Sequence, residues 1–399
     1  MEGLIKTSAG EQALEEGKSK RIIVTADWAC RGPHLEAMQK DPIAFYGDLL
    51  PRLQAADLAI VNVETTLSEK GAPILKAGPN ISCPEECVAG LQAVPFQVAC
   101  LANNHIRDFD GAGLVETLEI LKAAGLATCG AGATPEEITA PLIWELGEIK
   151  LGILNVAEGE ACLPPQEGEP GVAGLDLVRI EKQLAELKQK VDFSLVIVHA
   201  GREHAPSPPP YIQNAYRQMV RAGADLVVAH HPHVPQGIEI YRGVPIVYSM
   251  GNFVFWQEQA NPYQHKGFFV ELELAGSRLA EIKVVPYGIY PEGVSLLEGP
   301  EKKQFFAELK MLSQLLYDPE KTEELWNAFA DHHYDTRQKP ELVLDFSTPQ
   351  AAARSKNFFI TPAHRELMIT MMERIHYRQI GTSESWAQEL VRKWLGKGC

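Results

Sequence analysis

The chain has 399 residues, 45% hydrophobic and 22% charged, which suits a folded protein with a large core and excludes fibrous or wholly disordered architectures. Its 52 acidic and 37 basic residues leave a formal charge of −15, so nucleic acid and anionic membrane are poor general partners. A bound cation could still create a local positive site.

Residues 1–20 are polar and read as a flexible lead-in without the apolar stretch of a secretory signal. No later segment reaches the roughly 20 apolar residues of a membrane span. With seven scattered cysteines, read as reduced thiols, the chain as written fits a cytoplasmic location. Cys83 and Cys87 lack the second pair that a zinc knuckle needs.

Short, β-branched apolar runs at 21–26, 58–63, 97–101, 195–198 and 226–229 predict buried strands. Between them, Leu114, Leu118 and Leu121 share a helical face that Gly125 can end, and Leu177, Ile180, Leu184, Leu187 and Val191 share another. Hairpin patterns at 142–156, 238–248 and 268–285 predict antiparallel additions, hence an α/β fold with mixed sheets. The Pro-rich stretches 164–170 and 206–210 read as loops. Beyond a boundary at 298, the apolar spacing of Phe305, Leu309, Leu312 and Leu316, then Leu367, Met371 and Ile375, then Trp386, Leu390 and Trp394, predicts a helical C-terminal extension over 299–399.

The residues able to do chemistry stand just past the strands. Asp27 follows the first, Glu64 the second and Asn103-Asn104-His105 the third; His199 ends the fourth, and His230-His231-Pro232-His233 the fifth. Carboxyl ends of strands in α/β sheets are where ligands bind. One Asp after a strand is as readily a helix cap, but caps do not account for five such ends. Carboxylates, imidazoles and an amide oxygen suit one or two divalent ions (Mn, Fe or Zn) far better than a thiolate site. His231 and His233, one residue apart, point to the same side of an extended chain. Arg31 and Arg202 are candidates to meet an anionic substrate group.

Four stretches carry a resemblance. LANNHIRDFDGAGLVETLEILKAAGLATCGAG (101–132), GADLVVAHHPHVPQGIEIYRGVPIVYSMGNFVF (223–255), DLAIVNVETTL (57–67) and VHAGREH (198–204) resemble the CapA family, bacterial poly-γ-glutamate capsule biosynthesis proteins. The resemblance spans 21–290 and is similar in fold to calcineurin-like metallophosphoesterases. It implies a four-layer α/β/β/α sandwich over 21–298. It implies Asp27, Glu64, Asn104, His199, His231 and His233 as metal ligands, with Glu64 bridging, and His105 as proton donor. His230, one place early, falls behind the ligands, and Glu203 joins Arg31, Arg202 and His230 around the substrate. The metallophosphoesterase pattern has a histidine where this chain has Ala29, a loss that CapA relatives usually share, so one metal position loses a ligand. Family members often carry a membrane anchor.

Two expectations follow. One is a metal-dependent hydrolase linked to poly-γ-glutamate or capsule biosynthesis, acting on a phosphate ester or γ-glutamyl amide. The other is a non-catalytic accessory protein that binds a polyglutamate-like anion, or capsule or polyglutamate synthesis proteins, through the same pocket.

Overall fold

The computed structural model describes residues 3–6, 19–68, 70–162, 168–258, 261–338 and 344–396. In chain order the strands of its two large sheets are β1 (Leu4–Lys6), β2 (Ser19–Ala29), β3 (Leu58–Val63), β4 (Val98–Cys100), β5 (Ala127–Cys129), β6 (Leu142–Leu146), β7 (Ile149–Ala157), β8 (Phe193–His199), β9 (Leu226–His230), β10 (Ile238–Tyr241), β11 (Val244–Val247), β12 (Asn252–Phe255), β13 (Lys266–Ala275), β14 (Arg278–Tyr290) and β15 (Gly293–Leu296).

The first sheet runs β1-β14-β13-β2-β3-β4-β5, with β12 against β2 and β15 against β14. The second runs β10-β11-β9-β8-β7-β6. Both are mixed, because β2 to β5 and β7 to β9 are parallel while the three anticipated hairpins pair antiparallel.

Side-chain alternation fixes the layering. Ile153, Leu195, Ile197, Leu226 and Val228 of the second sheet join one core with Ile22, Val24, Ile60 and Val98 of the first. Their neighbours Leu154, Val196, Val198, Val227 and Ala229 face the other way, onto the helices Leu177–Leu187 and Pro210–Arg221. Met38, Phe45, Leu53, Leu91 and Leu121, from helices of the 33–54, 88–93 and 110–123 segments, join the core with the first sheet. The α/β/β/α sandwich expected from the sequence is therefore the one found.

Residues 4–6, within the stretch read as a lead-in, pair with Glu281–Lys283 as an edge strand; 7–18 lie outside the described residues. The stretch 206–210 is a loop only to Pro209, because Pro210 opens a helix at the position where a missing N–H costs nothing. Of the other Pro-rich stretch only 168–170 are described.

The C-terminal helices are Gly299–Leu315, Pro319–His333, Pro349–Ile360, Pro362–His376 and Ser385–Leu395. Leu325, Trp326, Phe329, Leu367, Met371 and Val391 form their own core, which takes in Ala205. Buried Asp331 holds Arg374 through contacts of 2.8 and 2.7 Å. Gly237 lets the first of these helices approach: a Cβ there would sit 2.8 Å from the Ser313 backbone. Among the described residues no helix is long and apolar enough to cross a membrane.

Candidate metal centre

Strand register brings the predicted residues to one rim. Asp27 is level with Asn62 of β3 and Asn252 of β12, and His199 is level with His230. A bulge interrupts the β2–β3 pairing between Val24 and Asp27. Bulges re-aim side chains beside functional sites. Asp27, Glu64 and His199 are fully buried, and His105 and His233 nearly so.

Two donor sets share one carboxylate. Glu64, His199 and His231 each offer a ligand atom within 4.8 Å of the others, and so do Asp27, Glu64 and His233. Glu64 Oε1 lies 3.3 Å from His199 Nε2 and 3.7 Å from His233 Nε2. Asn104 Oδ1 lies 2.7 Å from His199 Nε2 and adds an oxygen donor to the first set. Glu203 forms a third set with His231 and His233.

The residues fit divalent cations on an observation independent of motif. Both Glu64 oxygens are buried and accept no hydrogen bond from the described residues. A buried, unpaired carboxylate is costly unless it neutralises or meets a cation. Burial, followed by the nearby Asp27 and Glu203, pushes the Glu64 carboxyl well above its ordinary range. Burial lowers His199 to about 3 and drives His231 well down as well, which leaves the neutral imidazoles that metals bind. His233 goes the other way: burial opposes its charge, but Glu64 and Asp27 raise it. Burial also opposes the charge on Asp27, yet His230, His199 and His233 together hold that carboxyl low.

Asparagines orient the donors. Asn62 Nδ2 donates to Asp27 Oδ1 at 2.8 Å and lies 3.2 Å from His199 Nδ1. Asn252 Oδ1 contacts His233 Nδ1 at 2.8 Å, which leaves Nε2 for the centre. Asn103 Nδ2 donates to the Val63 carbonyl, and its Oδ1 accepts from the His105 and Ile106 amides. Asn155 joins the sheets, accepting from Ala102 N at 2.8 Å and donating to the Ile197 carbonyl at 3.1 Å. Gly130 makes room for it, since a Cβ there would stand 2.1 Å from Asn155 Oδ1.

The His-x-His segment is not extended. His231 and His233 have φ of 96° and 58°, and His204 has 62°. Non-glycine residues in this region are strained, and such strain clusters at functional sites. The expectation of an extended pair is thus corrected: the two rings converge because the backbone turns left-handed, and their centroids are 6.0 Å apart.

His105 stands 4.0 Å from Glu64 through Nε2. Its Nδ1 lies 2.6 Å from Asp108 Oδ2 and 3.1 Å from Lys76 Nζ. Lys76, itself buried, pairs with Asp108 and donates to the Asn104 carbonyl at 3.2 Å. Burial, reinforced by Lys76, lowers His105 to about 4.

His230 is buried with Nδ1 3.1 Å from Asp27 Oδ1. Arg31 lies over the Phe255 ring, 5.7 Å from its centroid, and that ring is 4.7 Å from His233. Arg202 helps hold the Glu203 carboxyl low, after His231 and His204, against the opposing effect of burial. Ala29 packs in an apolar cluster with Ile81 and Phe255, so no donor stands at that position.

Sequence reasoning did not single out Asn62, Asn252, Lys76, Asp108 or Glu158. Asp108 is three residues from His105, a spacing that could have flagged it; Lys76 sits in a segment without periodicity. Glu158, at the end of β7, accepts from Gly201 N at 2.8 Å and Tyr211 Oη at 2.5 Å, and burial raises it to about 7. It is a third strand end bearing a carboxylate, after those of Asp27 and Glu64, and it follows the hairpin pattern 142–156.

Residues 15–257 match the model of a family described as bacterial capsule synthesis protein PGA_cap. The chain belongs to this family. A capsule biosynthesis protein, CapA, of Bacillus anthracis is 31% identical over 248 residues, covering 60% of this chain and 60% of its own length. The PGA biosynthesis protein CapA of Bacillus subtilis is 27% identical over 286 residues, covering 70% of this chain and 73% of its own. A solved structure of a hypothetical protein from Thermus thermophilus overlaps 68% of this chain and 100% of its own at 18% identity, with a TM-score of 0.42. The PGA_cap match ends before the C-terminal helices begin.

Proposed function

We propose that this PGA_cap protein is a metal-dependent hydrolase serving poly-γ-glutamate or capsule synthesis, acting on a phosphate ester or γ-glutamyl amide of an acidic compound. The observation that carries the reading is the sharing of Glu64 between two donor sets. Asp27 and His233 would hold one ion with Glu64; Asn104, His199 and His231 would hold the other. When bound, a pair of Mn, Fe or Zn ions supplies an activated water and positive charge for the developing oxyanion.

The protein's own groups do the rest. Asn62, Asn252 and His230 keep the ligands aimed. Asp108 and Lys76 lock the His105 ring, whose Nε2 faces the centre as proton donor to the leaving atom. Burial and Lys76 keep that ring neutral in the free site, so Nε2 would have to take up a proton before it could donate one. Arg31, over the Phe255 ring beside His233, and Arg202, next to Glu203, would favour an anionic substrate.

The test is a screen of phosphate esters and γ-glutamyl peptides with and without added Mn or Zn. Hydrolysis that requires metal and is lost in His105→Ala, with metal content retained, supports the reading. A second reading, a non-catalytic accessory protein binding polyglutamate or a synthesis partner here, is favoured by the apolar cluster at Ala29. Bound metal with no turnover across the screen selects it.

A further inference from the structure

The two ions assigned above are not equally provided for. Glu64, Asn104, His199 and His231 would hold one, but only Asp27, Glu64 and His233 the other. Three protein donors leave much of an octahedral shell to solvent. Ala29, at the position that lost its donor, offers hydrocarbon only: it packs with Ile81 and Phe255, and the Phe255 ring lies 4.7 Å from His233.

Glu203 stands where it can make up the difference. Its carboxylate shares a donor set with His231 and His233, all within 4.8 Å of one another, and these two histidines belong to different ions. A carboxylate has two acceptor oxygens and can give one to each. Among the described residues no donor hydrogen-bonds the Glu203 carboxylate, so neither oxygen is committed elsewhere.

The backbone fixes this placement. Strand register puts His199 level with His230, and the turns that follow are clipped together. Ala200 N donates to the His230 carbonyl at 3.2 Å, and His204 N to the Pro232 carbonyl at 2.8 Å. Gly201, with φ of 115°, lets the first turn double back, and Glu158 Oε1 holds its amide at 2.8 Å. The left-handed residues His204, His231 and His233 lie on these same two turns. Glu203 is half-buried, whereas Asp27 and Glu64 are fully buried, so it stands on the solvent side of the ligands.

We propose that Glu203 is a second carboxylate shared by the two ions, taking the place of the donor lost at Ala29. This deepens the metal-dependent reading and rests on it. With Glu203, the ion at Asp27 has three carboxylates and one imidazole, an oxygen-rich set that suits Mn²⁺ better than Zn²⁺.

The test is equilibrium dialysis of the full chain against Mn²⁺, with the bound metal examined by electron paramagnetic resonance. The parent should hold about two ions per chain, magnetically coupled to each other. Glu203→Gln keeps the size of the side chain but offers a single oxygen. It should bind the weaker ion at least about tenfold less tightly and show the spectrum of isolated Mn²⁺. Glu203→Asp, which keeps both oxygens, should recover most of the second ion. Thermal unfolding in chelator, expected to match the parent in both variants, separates a lost ligand from a lost fold. A Glu203→Gln chain that keeps two coupled ions at parental affinity overturns the inference, as does a Glu203→Asp chain no better than Glu203→Gln. A parent that takes up no metal fails the metal-dependent reading itself, and dialysing it alongside the variants tells the two failures apart.

Discussion

At the scale of single residues, Glu64 has the most to reveal, because its two roles predict effects of opposite sign. If it is the shared ligand that we propose, Glu64→Gln should lower metal affinity at least about 100-fold, read by equilibrium dialysis. Without metal the same carboxylate is a buried group with no partner, so Glu64→Gln should unfold at a higher temperature than the parent in chelator. The pH dependence has a definite sign. A carboxyl whose folded pKa lies above its ordinary 4.5 contributes fully to stability below that value and loses the contribution as pH rises toward the folded pKa. The variant's advantage in chelator should therefore grow as pH rises above 4.5, by at most about 1.4 kcal/mol per pH unit. An advantage that is flat or shrinks with pH contradicts the burial account. His105 predicts a different pattern: His105→Ala should keep its metal and lose about 10²–10⁴-fold in turnover, seen as a fall in kcat with metal content unchanged.

At the scale of elements, the strands that carry the site were legible, and the backbone that aims them was not. Runs such as Leu58–Val63 and Leu226–Ala229 announce buried parallel strands by composition, and the polar residue that follows each marks the rim. The bulge before Asp27 and the left-handed turns at His231 and His233 are tertiary outcomes that no local propensity encodes. The helix Pro210–Arg221 was hidden by the prolines before it, although Ile212, Ala215, Tyr216 and Met219 have helical spacing and are buried. Asn62 and Asn252 read as ordinary strand residues, because their partners come from other segments. In the extension, Asp331 and Arg374 pin two helices together. Asp331→Ala leaves a buried guanidinium unpaired and should cost about 3–5 kcal/mol, measured by thermal unfolding. Burial opposes the charge of Asp331, but Arg374 and Ser383 lower its folded pKa. This contribution is therefore present above the ordinary 3.8 and fades as pH falls through the folded value. Asp331→Asn should accordingly approach parental stability only at strongly acid pH.

At the scale of the whole molecule, two sheets bring the donor sets to one rim, so the proposed metal binding would be coupled to folding. Mn²⁺ at about 100 times its Kd should stabilise the folded chain by about 2.7 kcal/mol, and chelator should reverse the effect. The most direct measurement is elemental analysis of the purified protein after dialysis against Mn²⁺ and then buffer. The account predicts about two ions per chain, matching the two donor sets that share Glu64, and the loss of both in Glu64→Gln. A chain that emerges with no metal, or a variant that retains the parent's content, would contradict it.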